Sequence, residues 1–112
     1  MTYRVVVVED HPAIRSVYRH LIDRVPSLDI CGEVATGAEA FGLIAQTNAD
    51  LLLLDIGLPD INGIQLLKQL KQQYPHLPVI VISGEDEFVY APAAMRAGAS
   101  RYIDKVHVTE LW

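Results

Sequence analysis

Cysteine is nearly missing from this chain: of 112 residues, only Cys31 carries a thiol. An internal disulfide is thereby excluded, and the thiol's place in an apolar stretch makes it a small core filler. Long hydrophobic runs are missing too. The longest, Val5 to Val8 and Leu51 to Leu54 among them, have four residues, against the roughly 18 that a membrane-spanning helix needs. The start, Met1-Thr2-Tyr3-Arg4, leads straight into one such run. It lacks the apolar stretch and small-residue cleavage site of a secretory signal, so the expected location is cytoplasmic. An excess of positive charge is also absent: nine Lys and Arg face fourteen Asp and Glu, for a net charge of −5. Sequence-independent nucleic-acid binding needs the opposite sign clustered on one face. By itself the chain is expected to bind neither DNA nor a membrane.

What is present is apolar substance. Hydrophobic residues make up 51% and charged residues 21%, a composition that supports a buried core and is far from that of disorder. The length suits one domain, residues 1–112. Short apolar runs alternate with stretches of helical periodicity, the pattern of repeated βα units and a parallel sheet. The runs are Tyr3 to Val8, Leu28 to Ala35, Asp50 to Leu54, Pro78 to Ile82 and Ser100 to Ile103. Several are β-branched and nearly all apolar, as strands covered on both faces are. Between the first two, Ile14, Val17, Tyr18, Leu21, Ile22 and Val25 form one helical stripe, with Pro12 near its start and Pro26 past its end. A second helix, about Ala38 to Gln46, buries Phe41, Ile44 and Ala45. A third, about Gly63 to Tyr74, follows Asn62 as N-cap and carries Ile64, Leu67, Leu70 and Tyr74. A fourth covers about Glu87 to Ala97; Pro92 falls inside it, so it either starts near Ala91 or is kinked, and Gly98 stands past its end. Of a fifth, only a stub from Val108 to Trp112 is expected.

In an open parallel sheet, ligands bind beyond the carboxyl ends of the strands. The first run ends in Glu9-Asp10, the third in Asp55, the fourth in Ser83, and the fifth is followed by Asp104-Lys105. Right-handed crossovers bring these ends to one edge. Singly, each residue has an ordinary reading as a solvated turn, a helix cap or a surface charge. Their joint occurrence at four strand ends is what sets them apart. Two unit charges about 4 Å apart interact by about 4 kcal/mol at an effective dielectric of roughly 20, so three clustered carboxylates repel unless something neutralises them. Lys105 brings a single positive charge. All-oxygen ligands select a hard ion such as Mg²⁺. His11, next to the acidic pair, reads as a solvated or capping residue, and zinc is not expected.

Over essentially its whole length the chain resembles the receiver domain of two-component response regulators, most closely the subgroup with a LuxR-type helix-turn-helix output. The resemblance rests on Glu9-Asp10-His11-Pro12, on Leu54-Asp55-Ile56-Gly57-Leu58-Pro59 with Asn62-Gly63, on Ser83-Gly84, and on Ala97-Gly98-Ala99 with Tyr102 and Lys105. It implies a doubly wound α/β fold: a parallel five-stranded sheet of flavodoxin-like order 2-1-3-4-5, here with the last helix truncated. It also implies that Asp55 is the nucleophile and phosphorylation site, accepting a phosphoryl group from a phosphohistidine on a sensor histidine kinase. Glu9, Asp10, Asp55 and the Gly57 carbonyl would hold Mg²⁺. Lys105 and Ser83 would bind phosphoryl oxygens during transfer. Tyr102 would be the switch aromatic, turning inward as Ser83 is drawn to the phosphate; its ordinary reading is sheet packing. The domain would phosphorylate and dephosphorylate itself as a signalling switch and not be an enzyme in its own right.

Departures from the family pattern are few. Gly57 stands where a side chain is common, which opens the pocket. Glu85-Asp86-Glu87 read as a solvated turn and helix start, with a role in partner choice as the other reading. The helix after the fifth strand is nearly absent, so the expectation is a truncated piece of a longer regulator whose DNA-binding output domain lies elsewhere, with an uncovered apolar strip that favours self-association. Two rivals remain. A phosphorylation-independent pseudo-receiver acting as an interaction module would not need Asp10, Asp55, Ser83 and Lys105 together. A phosphatase with an aspartyl nucleophile needs a second Asp two residues on, where this chain has Gly57. Nucleotide binding is disfavoured because no Gly-rich loop follows the first strand.

Overall fold

The computed structural model describes residues 2–105. Within them β1 (Tyr3–Val8), α1 (Pro12–Asp23), β2 (Leu28–Val34), α2 (Gly37–Thr47), β3 (Leu51–Leu54), α3 (Gly63–Gln73), β4 (Val79–Ser83), α4 (Glu87–Arg96) and β5 (Arg101–Asp104) follow one another. All strands pair in parallel, in the order β2-β1-β3-β4-β5. This is the doubly wound order implied by the family resemblance. The expected stub from Val108 to Trp112 lies outside the described residues.

Strand alternation divides the core between two faces. Val6, Val8, Leu52, Leu54, Val79 and Val81 pack with Ala40, Ile44, Leu66, Leu67, Leu70 and Ala94 of α2, α3 and α4. Val5, Val7, Leu53, Ile82 and Ile103 face the other way, onto Tyr18 and Ile22 of α1. Because side chains alternate along a strand, a run such as Val5 to Val8 can be apolar throughout only when both faces are covered. Cys31 is half-buried against the first of these clusters, and its Sγ donates to the Val5 carbonyl at 3.5 Å.

Caps set the helix starts. Thr36 accepts from the Glu39 amide, and Asn62 accepts from the Ile64 and Gln65 amides. Asp60 accepts from the Gly37 and Ala38 amides at 2.9 and 3.0 Å, tying the loop after β3 to the first turn of α2. The same two amides hold the Asp60 carboxyl below its usual range. A depressed acid contributes stability that is present above its unfolded pKa and lost as pH falls through the folded one. Asp60→Asn is therefore expected to lose less stability than the parent between about pH 4 and pH 2, read by urea unfolding at stepped pH. Identical acid limbs for the two proteins would refute this.

One local expectation is corrected. On α2 the buried alanine is Ala40; Ala45 is exposed, because the helix turns Ala40 and Ile44 toward the sheet. Helix α4 begins at Glu87, where the sequence placed it, and carries Pro92 inside it; the alternative start near Ala91 is not adopted. Asp86 caps its first turn by accepting from the Phe88 amide. The carbonyl that Pro92 leaves without a donor is that of Phe88, a residue 89% exposed, so water can serve it. At the far end Gly98 takes φ 109, the left-handed conformation suited to the residue after a helix.

Candidate functional site

Strands β1 and β3 are neighbours, so Glu9 and Asp55, one residue past each, stand side by side at the carboxyl edge of the sheet. Backbone bonds continue the strand pattern there: the Glu9 amide donates to the Val34 carbonyl and the Asp55 amide to the Val8 carbonyl, both at 3.0 Å. Arg15 from α1 donates to the Glu9 carbonyl at 2.6 Å and so fixes the turn that carries Asp10. Glu9 is fully buried and Asp55 is 3% exposed. Lys105, just past β5, reaches both: its Nζ lies 2.9 Å from Glu9 Oε1 and 3.3 Å from Asp55 Oδ2. The other Asp55 oxygen, Oδ1, accepts from the Gly57 amide at 3.0 Å.

A second cluster adjoins the first. Ser83 is fully buried at the end of β4, and its Oγ accepts from the Glu85 amide at 3.0 Å. Tyr102 on β5 donates its hydroxyl to the Glu85 carbonyl at 3.2 Å. Gly57 lies between the clusters: a Cβ built on it would sit 3.5 Å from Glu85 Oε1 and 3.6 Å from Asp55 Oδ1. The Glu85 carboxylate therefore leans over the space that a side chain at position 57 would fill, where sequence alone suggested a solvated turn.

Burial is the first cause of the raised Glu9 pKa; Lys105 opposes it and the Asp55 charge adds to it. For Lys105, burial alone would lower the pKa, but Glu9 and Asp55 outweigh it and hold the ammonium above its ordinary value. Burial likewise raises Tyr102. Tyr18, buried on α1, is pushed far up by burial and then by the charges of Glu9 and Asp55. Its hydroxyl has no aligned hydrogen bond. Tyr18→Phe removes a desolvated group that has little to lose, so stability is expected to stay equal or rise by up to about 1 kcal/mol in urea unfolding. A loss larger than that would show that the hydroxyl is bonded.

The donor set suits a divalent cation. Glu9, Asp10, His11 and Asp55 each offer one ligand atom, all within 4.8 Å of one another. Lys105 supplies one positive charge against the three carboxylates of Glu9, Asp10 and Asp55, so the oxygens retain capacity for a further cation. A groove of about 650 Å³ opens at the opposite edge of the sheet, lined by Asn48, Tyr74, Leu77 and Pro78 among others, and brings together no comparable set of acids.

The family model described as response regulator receiver domain matches residues 5–111, and the chain belongs to that family. It is 33% identical over 99 residues to an uncharacterized transcriptional regulatory protein, YhcZ, of Bacillus subtilis, covering 88% of this chain and 46% of the relative. It is 36% identical over 102 residues to a putative transcriptional regulator of Pseudomonas aeruginosa, covering 91% and 49%. The chain thus spans about half the length of these curated relatives. Among solved structures, a LuxR-family two-component response regulator from Aurantimonas sp. superposes with TM-score 0.87 at 32% identity, covering 94% of this chain and 75% of that one. The receiver domain of the putative regulator NarL from Mycobacterium tuberculosis gives 0.85 at 31%, covering 93% and 84%. The chain is accordingly the receiver domain of a two-component response regulator, with LuxR-family regulators among its structural neighbours.

The structure brings Glu9, Asp10, Asp55 and Lys105 into one cluster and Ser83 and Tyr102 into the adjoining one, joined through Gly57 and Glu85. His11, 59% exposed at the start of α1, and the exposed Glu85 occupy the solvated positions read from the sequence; what the sequence did not show is that His11 contacts Glu9 and Asp10 and that the Glu85 backbone bonds to Ser83 and Tyr102.

Proposed function

We propose that Asp55 is the phosphoacceptor of this receiver domain and that its phosphorylation switches a transcriptional output. The carrying observation is the nearly buried Asp55 carboxylate paired to Lys105 inside a group of acids at the strand ends. In the step proposed, an Asp55 oxygen attacks phosphorus in line, the P–N bond to a phosphohistidine of a sensor histidine kinase breaks as the P–O bond forms, and the imidazole leaves and regains a proton. Glu9, Asp10, Asp55 and the Gly57 carbonyl would hold Mg²⁺, which when bound neutralises phosphoryl and carboxylate charge. Lys105 orients the phosphoryl oxygens as a fixed cation, and Ser83 binds another oxygen by exchanging its Glu85 amide bond for a hydroxyl bond to phosphate.

That exchange provides a path outward. Ser83 and Tyr102 both bond to Glu85, so drawing Ser83 toward Asp55 loosens the Tyr102 hydroxyl and lets the ring turn inward. Moving a population from 1:99 to 99:1 takes about 5.5 kcal/mol. Charge-assisted bonds of about 1.5 to 3 kcal/mol each to Lys105 and Ser83, with repacking of Tyr102, are of that size. Self-association accompanies the switch in this reading, and DNA is reached only through an output segment outside residues 1–112. The setting is cytoplasmic; among the described residues no helix is long and apolar enough to cross a membrane.

Mass spectrometry after acetyl phosphate treatment tests the reading. One added phosphoryl group is expected with Mg²⁺ and none after chelation. No addition under either condition would refute it and favour a phosphorylation-independent interaction module.

A further inference from the structure

Where β1 ends, its hydrogen-bond ladder stops halfway through a residue. The Glu9 amide still donates to the Val34 carbonyl at 3.0 Å, but β2 ends at Val34, so no further strand amide serves the Glu9 carbonyl on that side. Arg15 of α1 takes that place: its Nη1 donates to the Glu9 carbonyl at 2.6 Å, a charge-assisted bond. The guanidinium is braced from behind by Glu33 of β2, whose Oε1 lies 3.6 Å from Arg15 Nε, with the two side chains only 21% and 20% exposed. Arg19, one helical turn further on, pairs with the same Glu33 oxygen. The acids of the pocket differ in how firmly they are held. Glu9 and Asp55 are buried and share Lys105, whereas the Asp10 side chain is 27% exposed and meets His11 Nδ1 at 3.2 Å. Where the Asp10 carboxylate stands therefore depends on the peptide that carries it, and the Glu9 carbonyl belongs to that peptide.

We infer that Arg15 is a positioning residue for the cation pocket: braced by Glu33, it fixes the Glu9–Asp10 peptide and so presets the Asp10 carboxylate, while offering no ligand atom itself. This role rests on the reading that Glu9, Asp10 and Asp55 hold Mg²⁺. The direction of the effect identifies it. As a cation beside acids and nothing more, Arg15 would repel Mg²⁺, and deleting it would tighten binding. As the group that holds the turn, its loss weakens binding, because a ligand that must first be ordered binds at the cost of that ordering. Lysine is an incomplete substitute: a guanidinium faces two acceptors from one rigid plane, and an ammonium on a flexible stem does not.

The test titrates the full chain, Arg15→Ala, Arg15→Lys and Arg19→Ala with Mg²⁺ by calorimetry, and follows amide hydrogen exchange at residues 9–11 in the metal-free proteins by nuclear magnetic resonance. Arg15→Ala is expected to bind Mg²⁺ about tenfold more weakly than the parent, with faster exchange at Asp10 and His11 and unchanged exchange along β1. Its labelling by acetyl phosphate at saturating Mg²⁺ should stay within about twofold of the parent, because Asp55 and Lys105 keep their pair. Arg19→Ala removes the other partner of Glu33 and is expected to change Mg²⁺ affinity by less than about twofold. Arg15→Lys keeps the charge and is expected to lose about threefold; parent affinity in that variant would overturn the assignment even if Arg15→Ala did not fold. Unchanged or tighter Mg²⁺ binding by Arg15→Ala, or equal losses in Arg15→Ala and Arg19→Ala, would overturn it while leaving the cation pocket standing. A parent chain that binds no Mg²⁺ would overturn the pocket and the assignment together.

Discussion

Asp55→Asn is expected to gain no phosphoryl group from acetyl phosphate and Mg²⁺ under conditions in which the parent gains one. The substitution is close to isosteric. The amide oxygen can still accept from the Gly57 amide, the bond made at 3.0 Å by Asp55 Oδ1. What is lost is the anionic nucleophile and the charge facing Lys105 Nζ at 3.3 Å. The fold should tolerate the change, because the Asp55 charge is one of the factors that raise the Glu9 pKa, and removing it relieves repulsion between buried acids. Urea unfolding of the variant separates the two effects: labelling disappears while the cooperative transition remains. Stoichiometric labelling that persists in Asp55→Asn would place the acceptor elsewhere.

Gly63→Ala is expected to cost about 3 kcal/mol or more and to impair labelling through the displaced loop. A Cβ at Gly63 would lie 2.1 Å from Ile56 Cα, 2.7 Å from Ile56 Cβ and 2.9 Å from the Ile56 carbonyl carbon. Two of those atoms are main chain, so no side-chain rotation relieves the clash; overpacking by one methyl usually costs about 1 to 3 kcal/mol, and more when the backbone itself must move. Ile56 directly follows Asp55, and its carbonyl accepts from the Gly63 amide at 3.0 Å, so the start of α3 is pressed against the acceptor loop. Gly42 on α2 is the control within the same chain. Nothing lies within 4 Å of a Cβ built there, and an alanine in a helix interior is favoured over glycine by about 0.5 to 1 kcal/mol. If Gly63→Ala unfolds at the same urea concentration as the parent, the close approach of α3 to the loop is not a constraint.

Much of the architecture was legible because it depends on local pattern. Apolar runs without alternation require cover on both faces, and the four-residue runs at Val5 to Val8 and Leu51 to Leu54 occupy the adjacent strands β1 and β3. Asn62 before α3 and Gly98 after α4 act as expected because caps depend on neighbouring amides and φ angles. The helix around Pro92 was placed correctly from about Glu87, but whether Pro92 moves its start to Ala91 could not be read from the chain, because its tolerance depends on the exposed setting of Phe88. Ala45 misled because periodicity locates a helical stripe only to within its width, and contact with the sheet chose Ala40 as the buried alanine.

The acids, hydroxyl and ammonium at the strand ends could be read as one edge from the βα alternation, since parallel strands share their carboxyl ends, whereas their convergence depended on the strand order that the family resemblance supplied. Their partners could not. That Lys105 spans Glu9 and Asp55, that Glu85 leans over Gly57, and that His11 turns onto the acids are relations between side chains set by strand register and loop path. Short-range periodicity and capping thus belong to the chain read in order, because each acts over a few residues. Distances across the pocket, and the crowding of Gly63 on Ile56, arise only when segments far apart in order are packed together, where tenths of an ångström decide which atoms touch.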